Sequence, residues 1–346
     1  MKKRILPIVL SAAMTVLVFS PGFGRQAQDY ESLYPTYEKM REKLGALFQE
    51  KKYPEAAALL EWAFIKFPEK AYANAFNLGL VYGQTGELQK GVDALRKALD
   101  KGLFFGLWDF ESAGWKPYAG YAPFQKIKDA SEEARAELEK KAVLVLDVVE
   151  PEGYDPAKAY PLFIALHGGG ENLAEFKPRW KSARLQKEFL VAYVQSTQVA
   201  TATGFHWQDE KRTKEEVAEA YRRATARYKI KMDEILLGGF SSGGFASLVC
   251  LFQETIPAAG FVVLCPPVPE SIRDEDIARA KGRGVRGTLL TSEQDGRLEA
   301  QKALAGRFAR QGLDVRLIVN KNTGHWYPDD LPDLIDAAIA HIRTGR

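Results

Sequence analysis

A serine held where a strand turns sharply into a helix can act as a nucleophile, and residues 236–244, LLGGFSSGG, have the composition for that turn. The apolar run ahead of it predicts a strand over 234–239, and the run behind it predicts a helix over 243–254. Such a turn draws together the backbones two positions either side of its central residue, so both positions need glycine. Around Ser241 both are glycine, Gly239 and Gly243; around Ser242 one is Phe240. The spacing G-x-S-x-G therefore selects Ser241. A nucleophilic serine needs a base, an acid that orients the base, and donors for an oxyanion. Asp295, in LLTSEQDG, and His325, in NTGHWYP, each follow a predicted strand, where open sheets of alternating strands and helices build their sites. Glu293 is the rival acid; Asp295 is preferred because it lies further out on its loop and begins a turn with Gly296.

The oxyanion donors have a candidate as well. His167, Gly168, Gly169 and Gly170 directly follow the predicted strand PLFIAL. Glycines there let backbone N–H groups approach a substrate oxygen with no side chain in the way. Gly169 is the expected first donor, with Gly168 as its alternative. The second is the N–H of Ser242, at the start of the following helix, where the helix dipole favours negative charge. A phosphate-binding loop is excluded, because no lysine follows the glycines in the required pattern.

The chain has four histidines. His325 is the catalytic candidate, His167 is read as a structural hydrogen-bonding residue of the glycine loop, and His341 as a surface residue of the last helix. His206 and Trp207, in TGFHWQD, and Trp326, beside His325, are candidates for the substrate pocket, with core packing the alternative for His206 and Trp207. There is no H-E-x-x-H pair and no clustered Cys/His set, so no metal is expected. The chemistry calls for no cofactor.

The elements that must position these residues follow from the texture of residues 142–346. Short apolar runs at 143–149, 161–166, 189–194, 234–239, 261–265, 287–291 and 315–320 alternate with helical stretches at 212–228, 243–254, 299–312 and 331–343. Several runs are apolar throughout, as in strands covered on both faces. The alternation predicts an α/β class, a mostly parallel sheet with helices on both faces. No helix fits between 149 and 161, so the leading edge is expected to be antiparallel.

Residues 30–103 read as helical, with a period of 35: Tyr53, Ala56, Leu60 and Ala63 recur as Leu88, Gly91, Leu95 and Ala98. The pattern resembles tetratricopeptide repeats at Pro68, Leu78, Gly79, Tyr82 and Ala98, with Leu103 where a proline is expected. Two units are fewer than such stacks need, so the aromatic segment 103–124 is read as a cap and the helical domain as 30–130. A charged stretch, 131–141, is read as a connecting helix.

Ahead of it all, Lys2, Lys3 and Arg4 precede an apolar run over 5–19 and then small residues. This predicts a signal peptide over 1–24, an exported protein, and no stable membrane span after processing. Those three basic residues account for the whole formal charge of +3, so no basic patch points to nucleic acid. Cys250 and Cys265 are the only cysteines, both in apolar surroundings, and are expected as buried free thiols.

Taken in order, HGGG, GFSSGG, the Asp295 loop and GHWYP resemble the α/β-hydrolase superfamily over residues 142–346, especially its secreted branch of phospholipase/carboxylesterases and polyester depolymerases. The segment 266–286, where larger members insert a cap domain, is short, which implies an open site. The resemblance implies a serine esterase acting on a small or polymeric ester; the helical repeats are expected either to contact a protein partner or to shade the mouth of the site. The alternatives are a peptidase or amidase on the same triad, and a non-catalytic protein that binds through its repeats.

Overall fold

The computed structural model describes residues 29–344; the leader read over 1–24 lies outside them. Among the described residues no helix is long and apolar enough to cross a membrane. The chain divides into two compact units. Of the described residues, one holds those up to Lys101 together with Glu111–Ile127, and the other holds Gly102–Phe110 and those from Lys128 onward.

The first unit is helical: α1 Tyr37–Gln49, α2 Tyr53–Lys66, α3 Ala71–Thr85 and α4 Leu88–Leu99. The Thr36 side chain caps the N-terminus of α1 and Pro54 sits in the first turn of α2, where its missing N–H has no helical partner to lose. Gly86, at φ +79°, ends α3 in the left-handed conformation that glycine adopts without strain. Met40, Leu44 and Leu47 of α1 pack with Leu59, Leu60 and Ala63 of α2 and with Leu78 and Val81 of α3. The aromatic segment expected as a single cap is divided at Glu111. Its later part lays Trp115 and Tyr118 onto α3 and α4, where a Cβ on Gly79 would stand 2.6 Å from the Trp115 ring. Tyr118 donates its hydroxyl to the Gly79 carbonyl at 2.7 Å.

The expected connecting helix is longer than 131–141 and starts earlier. Helix α5 runs over Ala122–Glu139, its residues to Ile127 belonging to the first unit. Phe124, Ile127 and Ser131 are all buried at helical spacing, so the stripe that sets its inner face begins inside the aromatic segment.

The second unit is built on a seven-stranded sheet in the order β1-β3-β2-β6-β7-β8-β9. The strands are β1 Val145–Val149, β2 Tyr160–Leu166, β3 Leu190–Gln195, β6 Ile230–Phe240, β7 Gly260–Leu264, β8 Arg286–Ser292 and β9 Asp314–Asn320. Strand β1 runs antiparallel to β3 and every other neighbouring pair is parallel. The sheet's two faces carry separate cores. Leu162, Ile164 and Leu166 of β2 join Ile235 and Leu237 of β6 on one face. Phe163, Ala165 and Leu236 occupy the other. Three helices cover the first face: α8 Glu210–Arg227, α9 Ser242–Phe252 and α11 Leu298–Arg310. Helix α12, Leu331–Arg343, covers the second with Ile335, Ala338, Ile339 and Ile342. This is the α/β-hydrolase arrangement.

Shorter elements escaped the sequence pattern: α6 Leu173–Phe176, α7 Ala183–Glu188, the two-residue strands β4 Gln198–Val199 and β5 Phe205–His206, and α10 Asp274–Gly282. None is long enough to develop a period. The order of the sheet has a direct consequence. From β2 the chain moves to β3 on one side; from β6 it moves to β7 on the other. The carboxyl ends of β2 and β6 therefore border a crevice where no connection crosses.

In the helical unit, a Cβ on Gly91 would fall 1.8 Å from the Tyr118 hydroxyl. Gly91→Ala is expected to lower stability by about 1–3 kcal/mol, the usual range for overpacking. Urea unfolding followed by circular dichroism measures this, and an unchanged midpoint would contradict the packing described.

Candidate active site

Strand β6 delivers Phe240 and then Ser241, and α9 begins at Ser242. Ser241 is held at φ +50°, ψ −113°, a conformation that side-chain-bearing residues rarely adopt and that costs about 1–3 kcal/mol. Neighbouring backbone enforces it. A Cβ on Gly239 would stand 2.3 Å from the Leu166 carbonyl oxygen, and one on Gly243 would stand 2.0 Å from the same atom. The Ser241 N–H donates to the Leu264 carbonyl at 2.8 Å, and the Phe245 N–H donates to the Ser241 carbonyl at 2.9 Å.

The strained backbone aims Ser241 Oγ at His325 Nε2, 2.8 Å away. His325 Nδ1 lies 2.8 Å from Asp295 Oδ2. Asp295 is buried. Burial works to raise its carboxyl, but the hydrogen bonds from His325, from the Arg297 N–H and from the Cys265 thiol outweigh it and hold the group below the ordinary carboxylate range. The Arg297 N–H reaches Oδ1 at 2.9 Å, so each Asp295 oxygen has a donor. Glu293 does not approach the imidazole; its carboxylate accepts from the Asn322 N–H at 3.2 Å and faces solvent.

The glycine loop after β2 lies across the crevice. Its three N–H groups have different roles. Gly168 donates to Glu171 Oε2 at 2.8 Å and Gly170 donates to the Phe205 carbonyl at 2.8 Å. Gly169 stands between them, and no acceptor among the described residues takes its N–H. Gly168, the alternative donor, is thus occupied by its own loop. Ser242 opens α9, where the first N–H groups have no intrahelical partner. Its hydroxyl accepts from the Trp207 N–H at 2.9 Å.

His167 is a structural residue, fully buried beneath this loop. Nδ1 lies 2.7 Å from the Gly168 carbonyl and Nε2 lies 3.3 Å from the Ser196 N–H, so Nδ1 carries the proton. Of the two readings of Trp207, substrate pocket and core packing, its burial selects core packing. Its side chain is fully buried, lies tilted against His167 with ring centres 5.2 Å apart and donates Nε1–H to the His167 carbonyl at 3.1 Å. His206 is buried, with Nδ1 accepting from the Gln208 N–H. Trp326 is half exposed and stands beside Phe240, whose ring in turn faces His325 at 5.1 Å. His341 is buried rather than at the surface, with Nε2 3.3 Å from Asp314 Oδ1.

Three contributors were missed from sequence. Glu171 is buried and joins the glycine loop to the histidine loop: Oε2 accepts from Gly168 N–H and from the Tyr327 hydroxyl at 2.7 Å, and Oε1 binds Arg179 at 2.7 Å. Arg179 also lies 4.9 Å over the Trp326 ring. Tyr327, two residues after His325, carries the signal that might have been noticed. Trp108, from the segment Gly102–Phe110, meets His206 edge-on at 5.6 Å.

Cys265, Asp295 and His325 place potential metal-ligand atoms within 4.8 Å of one another. The set suits a metal poorly. Two members are already bonded to each other, and burial pushes the Cys265 thiol up to about 12, so it stays protonated at neutral pH. Cys250 and Cys265 are both buried and free.

No protein-family model and no curated protein sequence matches the chain. Solved structures align with it. An uncharacterised protein from Bacillus cereus ATCC 10987 aligns over 90% of this chain and 100% of its own at 24% identity, with a TM-score of 0.52; at that identity the likeness is one of fold. Esterase PE8 aligns over 56% of this chain and 96% of its own at 14% identity, TM-score 0.47. Porphyromonas gingivalis dipeptidyl peptidase 4 aligns over 56% of this chain and 32% of its own at 12% identity, TM-score 0.42.

Burial pushes both His167 and His206 down to about 4, so both rings are neutral in the folded protein near pH 7. In the unfolded chain each takes a proton near the ordinary value of about 6.5. Their stability contribution is intact above pH 6.5 and is lost as pH falls towards 4. His167 alone accounts for on the order of 3 kcal/mol by the bottom of that window. Urea midpoints should decline steadily from pH 6.5 to 4; a flat profile to pH 4.5 would contradict neutral buried rings.

Proposed function

We propose that this chain is a serine hydrolase that cleaves carboxylic esters through an acyl-enzyme. The observation that carries the reading is the unbroken Ser241–His325–Asp295 chain, with both links at 2.8 Å, built on a serine forced into left-handed backbone. Ser241 Oγ attacks the ester carbonyl as His325 Nε2 takes its proton. Asp295 holds the imidazole with Nδ1 protonated and stabilises the imidazolium that forms. The oxygen of the tetrahedral intermediate takes hydrogen bonds from the Gly169 and Ser242 N–H groups, each contributing roughly 3–4 kcal/mol in the transition state. Collapse breaks the C–O bond, and His325 returns the proton to the departing alcohol. Water then enters, gives a proton to His325, attacks the acyl carbon and frees the acid, and Ser241 regains its proton.

Ester cleavage is favoured over trimming from a free N-terminus by the commitments of one carboxylate. A peptidase that trims from a free N-terminus needs a carboxylate for the ammonium. Glu171, the buried carboxylate of the glycine loop, is already committed to Arg179, Tyr327 and the Gly168 N–H.

Hydrolysis of p-nitrophenyl acetate tests the reading, with an aminoacyl-anilide as the amide comparison. Wild type should turn over the ester far faster than the anilide. Ser241→Ala should lose at least about a thousandfold in kcat, and Asp295→Asn about 10³–10⁴-fold. Ester turnover that survives Ser241→Ala would defeat the assignment; faster cleavage of the anilide would convert it to an amidase.

A further inference from the structure

The residues around the triad form two walls of different character. On the His325 side stands the half-exposed Trp326, with buried Phe240 beneath it. On the side of the glycine loop stands Trp108. A carbon atom placed as a Cβ on Gly169 would meet Ser242 Cβ at 3.5 Å, Trp108 Cη2 at 3.5 Å and Trp108 Cζ3 at 3.6 Å. Those are ordinary van der Waals distances, so the Trp108 ring and the first residue of α9 both border the space over the loop's central glycine.

The Trp108 ring is held from several directions. Phe104 and Phe105 are buried, and the Phe105 N–H donates to Ser131 Oγ at 3.2 Å. Gly106 approaches the 200–201 backbone so closely that a Cβ would stand 2.8 Å from the Ala200 carbonyl oxygen. The Gly106 N–H donates to Asp109 Oδ2 at 2.5 Å, and the Asp109 N–H donates back to the Gly106 carbonyl at 3.3 Å. Trp108 sits in that closed turn, with its ring against His206.

The chemistry assigns each wall a part of the substrate. The departing alcohol must receive a proton from His325 Nε2, so it leaves on the side of His325 and Trp326. The acyl group points the other way. We propose that Trp108 narrows the acyl side of the site beside Gly169 and Ser242, which makes the protein selective for esters whose acyl group is unbranched next to the carbonyl, such as acetyl and propionyl. The inference rests on the esterase reading. It adds a specificity-determining residue that lies outside the segment resembling a hydrolase.

The test compares p-nitrophenyl acetate with p-nitrophenyl pivalate, which share a leaving group and differ in branching beside the carbonyl. The readout is the pivalate-to-acetate ratio of kcat/KM, in which the intrinsic reactivity difference cancels between enzymes. Trp108→Ala should raise that ratio at least about tenfold, and Trp108→Phe by less, as expected when a pocket gains room for methyl groups. Acetate turnover by each variant reports that it is folded, and Trp108→Phe carries the test if Trp108→Ala is not. A ratio that moves less than about threefold in a variant that turns over acetate overturns the proposal and leaves the esterase reading standing. So does a variant that changes selectivity among acetates of methyl, cyclohexyl and naphthyl alcohols instead. Wild type that hydrolyses neither p-nitrophenyl ester removes the esterase reading, and the proposal with it.

Discussion

The whole site depends on one carbonyl oxygen. Leu166, at the end of the central strand β2, places its oxygen where a Cβ on either Gly239 or Gly243 would collide with it. Only two glycines let β6 and α9 close around that atom, and closing around it forces Ser241 to φ +50°. The strain at Ser241 is sustained by the sheet rather than by its own loop. Because the same strand continues directly into His167 and the glycine loop, the nucleophile and the loop opposite it are fixed by one contact.

The rest of the site is set by a stagger along the sheet edge. Ser241 N–H bonds to the Leu264 carbonyl, Cys265 N–H to the Leu290 carbonyl, and Glu293 N–H to the Asn320 carbonyl, each at 2.8 Å. Each loop takes its start from the end of the next strand, which brings Asp295 and His325 to the same rim as Ser241. Glu171 then ties the first loop to the last through Gly168 and Tyr327. The ends of strands that are far apart in sequence thus behave as one frame. In a frame of this kind an imidazole taking the serine proton, as proposed above, has little freedom left to lose, which is the physical content of preorganisation.

Much of this was legible in the sequence, for physical reasons that differ by residue. Gly239 and Gly243 identify Ser241 because close backbone approach leaves a mark in composition. The sheet was legible because strands buried on both faces read as continuous apolar runs. The roles of Gly168 and Gly169 were not separable, since the difference lies in a side chain, Glu171, that bends back to one of the two N–H groups. The place of Trp207 was left open and that of Trp108 was not foreseen for the same reason: neither carries a local signal of which side of the loop it will occupy. His341 looks exposed when read alone, but it follows Leu334 and Ala338 at helical spacing, at the edge of the buried stripe of α12. Residues 102–110 have no period at all, and only their contacts place them with the sheet unit.

The central claim is that this frame makes the Ser241 hydroxyl a nucleophile. It is tested most directly by treating folded protein with a fluorophosphonate and locating the adduct by peptide mass spectrometry. The account predicts a single stoichiometric adduct on Ser241, abolished when the protein is unfolded in urea before treatment. An adduct on Ser242 or elsewhere, or folded protein that takes up no label, would contradict it.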